Sequence, residues 1–324
     1  MKRIIIMIGI GLILIILTIL NIINFGSKNK NEKTKITVAE VTHSVFYAPW
    51  YVAIENDYFE NLDIEVILTS GANNVVAAVL SGDAEIGFCG PEGTIYAYKN
   101  GSKDSIKSFA SLTKRDGQFL VLRNDIKYDD FKSIDELTIL AGRSGGMPLL
   151  NFKNALKNEN IKNVKIDTSV EFANLTSAFI SGLGDGVNLF EPNATTLVKN
   201  GYGYIATSIG LYSGTVPYTA FNAKTSFINK NKDVIESFYK GIKKGLDYVH
   251  NHTPEEIAKT IKNQFPDTSL EDLTIMIKNY KDYDSWYKEP IINKEDFENL
   301  EDIMINNNEL DEYVPFSDLV YELN

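Results

Sequence analysis

The sequence predicts an α/β fold of two lobes, each built on a mostly parallel sheet flanked by helices and joined to the other by a hinge of two crossings. The first observation is a regular alternation, because strand-like and helical segments follow one another from residue 36 with few residues to spare. Strands that alternate with helices of this length indicate βαβ units and a parallel sheet. The predicted strands are 36–41, 64–68 and 86–89, and the predicted helices are 47–58, 73–80 and one that opens at Pro91.

The second observation is an internal repeat, because the pattern of residues 77–92 returns about a hundred residues later. In both copies a helix ends at a Ser-Gly pair, a strand follows, and a helix starts at a proline. Gly82 and Gly182 stand where helices commonly take a left-handed residue, and Pro91 and Pro192 stand where the first helical turn favours proline. Other α/β proteins use the same signals, but the match of these pairs favours two related lobes.

The residues between the two copies complete the second lobe. A strand at 138–142, a helix at 148–157 and a strand at 164–167 form another βαβ unit. The extended segments 118–122 and 215–221 bracket this unit. We therefore expect these two segments to be the crossings about which the lobes move.

The crossings set the expected domain boundaries. Lobe 1 is predicted to comprise 36–117 and 219–324, and lobe 2 is predicted to comprise 118–218. From residue 223 onward the pattern is helical, with a first long helix over 234–249. We expect these C-terminal helices to pack on lobe 1 and to have a structural role.

The first residues form a separate segment. Lys2 and Arg3 precede an apolar run over 4–25, close to the roughly 20 residues that a membrane-spanning helix needs. No small-residue cleavage site follows, so we expect 1–27 to be an uncleaved membrane anchor, with a cleaved signal peptide as the alternative. After a linker at 28–35, the folded part is expected at the outer face of the cytoplasmic membrane, anchored there or released after cleavage.

Composition excludes several classes of function. The chain has 32 Lys and Arg against 43 Asp and Glu, and this acidic balance disfavours nucleic acid and anionic lipid as partners. The single cysteine excludes an internal disulfide, and Cys89 is expected to be a small buried side chain. The sequence lacks the motifs for phosphate loops, dinucleotides, catalytic serines and metal-binding cysteine pairs. We therefore expect a monomer that is not an enzyme and has no cofactor and no metal.

Function is expected in the loops after the strands, because the carboxyl ends of parallel strands meet along one crevice. These loops carry carboxylates, aromatic rings, small polar side chains and glycines. His43 could donate a hydrogen bond there or could have a structural role. The candidate ligand-binding residues are His43, Phe46, Tyr47, Ser70, Gly71, Asn73, Gly90, Glu92, Ser144, Gly145, Gly146, Asn188, Glu191 and, in the second crossing, Tyr218.

Two glutamates determine the expected charge of the crevice. Glu191 precedes a proline and is predicted to be a helix N-cap, where a shorter side chain is usual. Glu92 lies in the first turn of another helix, where complementarity to the helix dipole alone would explain it. Two carboxylates that face each other across a cleft favour a ligand with amine or N–H donors. The turn from Ser144 to Gly146 offers backbone N–H groups, which suit an acidic end of the same ligand.

Four segments of the chain resemble the substrate-binding proteins of ABC importers, in the group that covers sulfonate, nitrate and taurine binders and the thiamine-pyrimidine-precursor binders. The resemblance implies a periplasmic-binding-protein-like fold of type II, a clamp that closes on a small solute and presents it to a membrane permease and its ATPase. It also implies that the loops named above line the cleft. The segments are 46–53 (FYAPWYVA), 56–59 (NDYF), 80–87 (LSGDAEIG) and 190–192 (FEP).

The resemblance leaves several ligands and functions open. The leading expectation is a small polar or heteroaromatic solute, with a pyrimidine of the thiamine-precursor type first. Within the same family, the alternative is an anion of the alkanesulfonate, taurine or nitrate type. Two further alternatives are a pyrimidine-synthesising enzyme and a ligand-sensing ectodomain. Enzymes of that kind carry a cysteine-rich motif and a reactive histidine, whereas Cys89 stands alone in the comparable stretch.

Overall fold

The computed structural model describes residues 33–69, 71–142 and 146–323. The predicted membrane segment and most of the predicted linker lie outside the described residues. Within the described ranges, no helix has both the length and the apolar character needed to cross a membrane.

Two five-stranded sheets form the frame of the described structure. In chain order the strands are β1 (Thr34–Glu40), β2 (Leu62–Leu68), β3 (Ile86–Cys89), β4 (Ile106–Thr113), β5 (Phe119–Leu122), β6 (Thr138–Leu140), β7 (Lys165–Asp167), β8 (Gly186–Leu189), β9 (Tyr204–Ser208) and β10 (Thr219–Lys224). The strand order is β2-β1-β3-β10-β4 in the first sheet and β7-β6-β8-β5-β9 in the second.

The two sheets share one topology. In the first, β1 is parallel to β2 and β3, and β10 is antiparallel to β3 and β4. In the second, β6 is parallel to β7 and β8, and β5 is antiparallel to β8 and β9. The strands of the predicted repeat, β3 and β8, hold the same place in each sheet, and Gly82 and Gly182 have φ of 89° and 102° as predicted. The predicted α/β fold of two lobes is confirmed.

Helices connect the strands and make up most of the C-terminal third. They are α1 (Ala48–Glu55), α2 (Ala72–Ser81), α3 (Glu92–Lys99), α4 (Met147–Asn158), α5 (Leu175–Ile180), α6 (Asn193–Lys199), α7 (Ile209–Ser213), α8 (Thr225–Lys230), α9 (Lys232–Asn251), α10 (Pro254–Ile261), α11 (Leu270–Asp282), α12 (Lys294–Asn306) and α13 (Phe316–Leu319).

The first predicted helix is shorter than expected and has two parts. A 3-10 turn, Val45–Tyr47, precedes α1, and α1 ends at Glu55 rather than at Tyr58. Asp57 has a φ of 51°, in the left-handed region where an α-helix does not continue. The apolar spacing extends past the helix end because Tyr58 packs against the same core.

The two helix-starting prolines lie one position earlier in their helices than predicted. Pro91 and Pro192 are the N-caps, and α3 and α6 begin at Glu92 and Asn193. The prediction that Glu191 is an N-cap is therefore wrong, because this residue lies one position outside the cap. Proline needs no N–H partner at either position, so the sequence pattern does not separate the N-cap from the first helical residue.

The described chain passes from the first sheet to the second between β4 and β5, and it returns between β9 and β10. The crossing segments are therefore 114–118 and 209–218. The predicted crossings, 118–122 and 215–221, overlap these segments at 118 and at 215–218, and the rest of each belongs to β5 or β10. Extended residues are common to strands and crossings, and only pairing within a sheet separates the two.

An aromatic core joins the first sheet to the helices around it. Trp50 of α1 is fully buried, with its ring centroid 5.2 Å from Phe221 and 5.7 Å from Phe238. Phe88 of β3 stacks on Phe221 of β10 at 4.2 Å. Because Phe238 belongs to α9, this contact places the long C-terminal helix against the first sheet.

Gly87 of β3 lies directly under α2. A Cβ at this position would be 2.7 Å from Val75 Cγ1 and 3.0 Å from Val79 Cγ2. We expect Gly87→Ala to lower the free energy of unfolding by about 1–3 kcal/mol, because an added methyl group overpacks the core. Urea unfolding followed by circular dichroism measures the change. The control is Lys99→Ala at the exposed end of α3, expected within about 0.5 kcal/mol of the unsubstituted protein. An unchanged midpoint for Gly87→Ala would contradict this packing.

Candidate functional site

Loops from both sheets meet at Phe46, which follows β1. The Phe46 ring centroid lies 6.0 Å from that of Phe190, which follows β8 in the second sheet, and 6.0 Å from that of Tyr218 in the second crossing. It lies 4.9 Å from the ring of Tyr280 in α11. Gly117 of the first crossing is under the same ring, because a Cβ there would be 2.7 Å from Phe46 Cζ. The ends of the parallel strands of both sheets therefore converge, as expected for a ligand crevice.

This meeting point is closed in the structure. Phe46 is 1% exposed and Glu191 is 3% exposed. In contrast, Glu92, Phe190 and Tyr218 each keep part of their surface accessible. A small molecule entering between the sheets would therefore meet these three side chains first.

Glu92 brings a carboxyl group to the cleft with little support from other residues. Within the described ranges, its hydrogen bonding is limited to its own backbone N–H. The side chain folds back over Gly90, where a Cβ would be 1.9 Å from Glu92 Oε2, so this conformation requires the glycine. Burial raises the pKa of Glu92 to about 7. A carboxyl group in such surroundings is stabilised in its charged form by a donor or cation that a ligand supplies.

Tyr47 and Tyr218 lie near this carboxyl group. Burial raises the pKa of both hydroxyls well above the usual value, and the charge of Glu92 is among the further causes for each. The Tyr47 ring packs edge-on against Phe88 at 4.5 Å between centroids. At physiological pH both tyrosines therefore keep neutral hydroxyls, and Tyr218 also keeps part of its surface accessible.

Asp116 of the first crossing is a second carboxyl group in this region, and the sequence patterns did not reveal it. Its Oδ1 accepts a hydrogen bond from the backbone N–H of Gln118 at 2.6 Å, whereas its Oδ2 is buried and unpaired in the described part of the chain. Burial raises the pKa of Asp116 to about 7, and the hydrogen bond from the Gln118 N–H and the nearby Tyr218 hydroxyl oppose the shift. The neighbouring Arg115 pairs with Asp284 instead. The one sequence signal is an Asp-Gly pair before a predicted crossing, and such a pair is also typical of an ordinary turn.

Glu191 is buried and has hydrogen-bond partners from the protein itself. Its Oε2 accepts a bond from Thr195 N at 2.8 Å, and its Oε1 accepts bonds from Thr195 Oγ1 at 2.8 Å and Asn279 Nδ2 at 2.7 Å. Its N–H donates to the hydroxyl of Tyr280 at 3.1 Å. Burial raises the pKa of Glu191, while the bonds from Asn279 and Thr195 oppose the shift. In this closed structure, the donors that we expected from a ligand come from α6 and α11.

His43 is at the surface, and both of its ring nitrogens have partners. Nε2 lies 2.9 Å from the carbonyl oxygen of Gln264, and Nδ1 lies 2.9 Å from the hydroxyl of Tyr51. That hydroxyl donates to the buried carboxylate of Glu40 at 2.5 Å. Hydrogen bonding to Glu40 raises the pKa of His43, and burial opposes the shift. These contacts tie the loop after β1 to the turn after α10.

Asn188 of β8 is buried, and neither its Nδ2 nor its Oδ1 has a partner among the described residues. Gln118 lies beside it, with Nε2 3.4 Å from the Asn188 carbonyl oxygen and with its own Oε1 unpaired. Asn151 of α4 also has an unpaired, buried Oδ1. Buried polar atoms are nearly always hydrogen-bonded in native proteins, so each exception needs an explanation, such as a water molecule or an ion. Sequence patterns did not mark Gln118 or Asn151 as site residues.

The other candidates are less enclosed. Gly71 precedes α2 with a φ of 87°, and Asn73 is exposed in the first turn of that helix. Gly146 is the N-cap of α4 in an extended conformation. Three candidates lie outside the described residues: Ser70, Ser144 and Gly145.

Comparison with known proteins identifies the family. Residues 45–257 match the family model described as NMT1/THI5 like. The chain is 39% identical over 298 residues to a protein of Bacillus subtilis (strain 168) named "Putative binding protein YtlA", and the match covers 90% of this chain and 89% of that one. The name of this relative is that of a binding protein.

Solved structures with low sequence identity share the fold. One is the periplasmic aliphatic sulphonate binding protein SsuA of Escherichia coli, with a TM-score of 0.69, 13% identity, and coverage of 89% of this chain and 97% of that one. Another is the alkanesulfonate-binding protein SsuA of Xanthomonas axonopodis pv. citri bound to MOPS, with a TM-score of 0.66, 11% identity, and coverage of 90% and 99%. The chain belongs to the NMT1/THI5-like family, and it has the two-lobed fold of periplasmic substrate-binding proteins.

Proposed function

We propose that this chain is the extracytoplasmic solute-binding component of an ABC importer. It captures a small molecule between its two lobes as a monomer and delivers it to a membrane permease that an ATPase drives. The family match and the fold support this role, and so does the convergence of both sheets on one closed cleft at Phe46. An N-terminal membrane helix, or release after signal cleavage, would keep it at the outer face of the cytoplasmic membrane.

The proposal for the ligand rests on the charge of the cleft. Three carboxyl groups are close to it, those of Glu92, Asp116 and Glu191. Within the described ranges, no lysine, arginine or histidine is among the causes that shift the pKa values of these three carboxyl groups. A bare oxyanion would meet three carboxyl groups here, and a ligand with amine or ring N–H donors would supply hydrogen bonds that Glu92 and Asp116 lack.

The ligand is therefore a small amine-bearing or heteroaromatic solute, with a pyrimidine of the thiamine-precursor type first. Its ring would lie against Tyr47 and Tyr218, and its donors would face Glu92. An acidic end would reach the turn before α4, where Gly146 presents an extended N-cap. Glu191 would contribute by holding the start of α6 in place, since its carboxylate is already bonded to Thr195 and Asn279.

A sulfonate or nitrate ligand is the alternative within the fold family. The Escherichia coli and Xanthomonas structures are named as sulfonate binders, but at 13% and 11% identity they support the fold and not the ligand. The carboxyl groups of Glu92 and Asp116, which receive few hydrogen bonds from the protein, disfavour an anion. The pyrimidine-synthesising alternative is disfavoured by Cys89, which is buried and whose pKa burial raises well above the usual value.

The first test of the ligand is mass spectrometry of whatever small molecule co-purifies with the native protein, followed by calorimetry with that compound. We expect Glu92→Gln to weaken its binding by about 10–100-fold, the equivalent of one charge-assisted hydrogen bond. The matched control is Glu295→Gln, because Glu295 is also in the first turn of a helix but is exposed. Tight binding of an alkanesulfonate that Glu92→Gln leaves unchanged or improves would refute the proposed ligand and leave the transport role standing.

The stability of the ligand-free protein should fall as the pH rises from about 5 to about 8. Burial raises the pKa of Glu92 and of Asp116 to about 7, above the values of the unfolded chain. Between the two values the folded state holds more protons than the unfolded state, so folding loses stability as the pH rises through this range. Urea midpoints at several pH values measure the trend.

Two variants isolate the contribution of these carboxyl groups to the pH trend. Glu92→Gln and Asp116→Asn should each make the urea midpoint less dependent on pH, because each variant removes one titrating group. Glu295→Gln should keep the full dependence. A midpoint that rises over the same range, or variants with the same slope as the unsubstituted protein, would contradict the assigned environment.

A further inference from the structure

We infer that Glu40, Tyr51 and His43 form a hydrogen-bonded network that holds one shared proton and positions the loop after β1. This loop carries Phe46 and Tyr47 to the cleft, so its position depends on pH. The effect of the network on solute capture rests on the proposed function, whereas the network itself does not.

The network runs from a buried carboxyl group to the surface. The Tyr51 hydroxyl lies 2.5 Å from Glu40 Oε1 and 2.9 Å from His43 Nδ1. His43 Nδ1 also lies 3.5 Å from Glu40 Oε2, and Nε2 lies 2.9 Å from the carbonyl oxygen of Gln264. Glu40 and Tyr51 are each 1% exposed, whereas 36% of the His43 side chain is exposed. The imidazole ring therefore connects the buried pair to solvent.

The number of hydrogens that these contacts need gives the proton content of the network. Three contacts each need one hydrogen: carboxyl to hydroxyl, hydroxyl to imidazole, and imidazole to the Gln264 carbonyl, which can only accept. A carboxylate, a tyrosine and a neutral imidazole supply only two. The third hydrogen is on His43, as an imidazolium, or on Glu40 with the two inner bonds reversed. Loss of this proton leaves two acceptors in contact beside a buried carboxylate, which is unfavourable.

The groups next to the imidazole favour this proton. Glu40 is the ion-pair partner of His43. Hydrogen bonding to Glu40 raises the pKa of His43, and burial opposes the shift. The hydroxyls of Tyr47 and Tyr51 also lie near Glu40, and burial raises the pKa of both well above the usual value. Both tyrosines therefore stay neutral, and the proton that leaves as the pH rises is the one shared by Glu40 and His43.

The turn after α10 packs on the other side of the imidazole. It presents the carbonyl oxygen of Gln264 and the ring of Phe265, whose centroid lies 4.7 Å from that of His43. Glu55 of α1 holds this turn by accepting a hydrogen bond from Gln264 Nε2 at 2.6 Å. The cation of the turn, Lys262, donates to two of its carbonyl oxygens, each at 3.1 Å. The turn thus adds an acceptor for the imidazole N–H.

Ser44 connects the network to the cleft. Its N–H donates to the Tyr51 hydroxyl at 3.3 Å. Its Oγ accepts a hydrogen bond from the N–H of Phe46 at 3.2 Å, and its carbonyl oxygen accepts one from the N–H of Tyr47 at 2.9 Å. Ser44 is the N-cap of the 3-10 turn before α1. A change at the Tyr51 hydroxyl therefore acts on the residue that holds the backbone of both cleft aromatics.

The test is an NMR titration of the purified full-length protein from about pH 5 to about pH 9, with no solute added. The ring signals of His43 report the shared proton. The indole N–H of Trp286 reports the loop, because it donates to the carbonyl oxygen of Phe46 at 2.8 Å. The chain has three histidines and two tryptophans, so His43→Gln and Trp286→Phe suffice to assign these signals.

We expect Glu40→Gln to shift the midpoint of the His43 titration to lower pH, because the variant removes the carboxylate that favours the proton. In the unsubstituted protein, the Trp286 signal should move over the same pH range as the His43 ring, and His43→Gln should abolish this movement. Tyr51→Phe should separate the two signals: His43 still titrates, but Trp286 no longer follows it, since Ser44 has lost its link to the network.

The matched control is His252→Gln, which should leave both signals of the unsubstituted protein unchanged. His252 also bonds a backbone carbonyl, that of Tyr248 at 2.9 Å, and it stacks on the Tyr248 ring. It makes no ion pair within the described residues. If Glu40→Gln does not fold, Glu40→Asp gives the comparison with a carboxylate drawn back by one methylene group. If Tyr51→Phe does not fold, His43→Gln still tests the link to Trp286.

Two results would overturn the inference. A His43 midpoint that Glu40→Gln leaves unchanged removes the shared proton. A Trp286 signal that ignores the His43 titration, or that moves in the same way in His43→Gln, removes the positioning of the loop. If the co-purified compound still binds in either case, solute capture stands and only the network fails. If the titrations behave as expected but no small molecule co-purifies and a solute screen finds no binding, the proposed function fails and the network stands.

Discussion

The contact of the Phe46 ring with both crossings is the interaction on which the rest of the structure depends. Its ring covers Gly117 in the first crossing and packs on Tyr218 in the second, and its carbonyl oxygen accepts a hydrogen bond from Trp286 Nε1 at 2.8 Å. One buried side chain thereby contacts both segments that connect the two sheets. A Cβ on Gly117 would displace this ring, so the first crossing can pass here only as glycine.

The carboxyl groups around this contact differ in how many hydrogen bonds the protein gives them. Glu191 is buried but has three donors from Thr195 and Asn279, so its burial is largely offset by hydrogen bonds. Glu92 and Asp116 are enclosed with fewer partners, which weakens folding. Local departures from good hydrogen bonding are expected at functional sites, where the missing partner is a ligand. The difference between Glu191 and the other two thus separates a structural carboxylate from those available for binding.

Much of the fold could be predicted because its signals are local. The strand 86–89 has the predicted bounds, and β3 and β8 occupy equivalent places in sheets of the same order, as the repeat indicated. The errors occurred where two structures share one local pattern. A proline at a helix start is compatible with the N-cap and the first turn, and an extended run is compatible with a strand and a crossing. Pairing between distant segments decides these cases.

The sequence by itself determined the two α/β lobes with mostly parallel sheets, the loops that carry the cleft and the presence of Glu92 in one of them, because periodicity and turn residues act over a few positions. Only the tertiary structure decided which carboxyl groups have partners in the protein. The amide that bonds to Glu191 is 88 residues away in Asn279, and Asp116 meets Tyr218 only because both crossings pass the same point. Hydrogen-bond partners depend on distances in space, and the order of residues along the chain does not contain those distances.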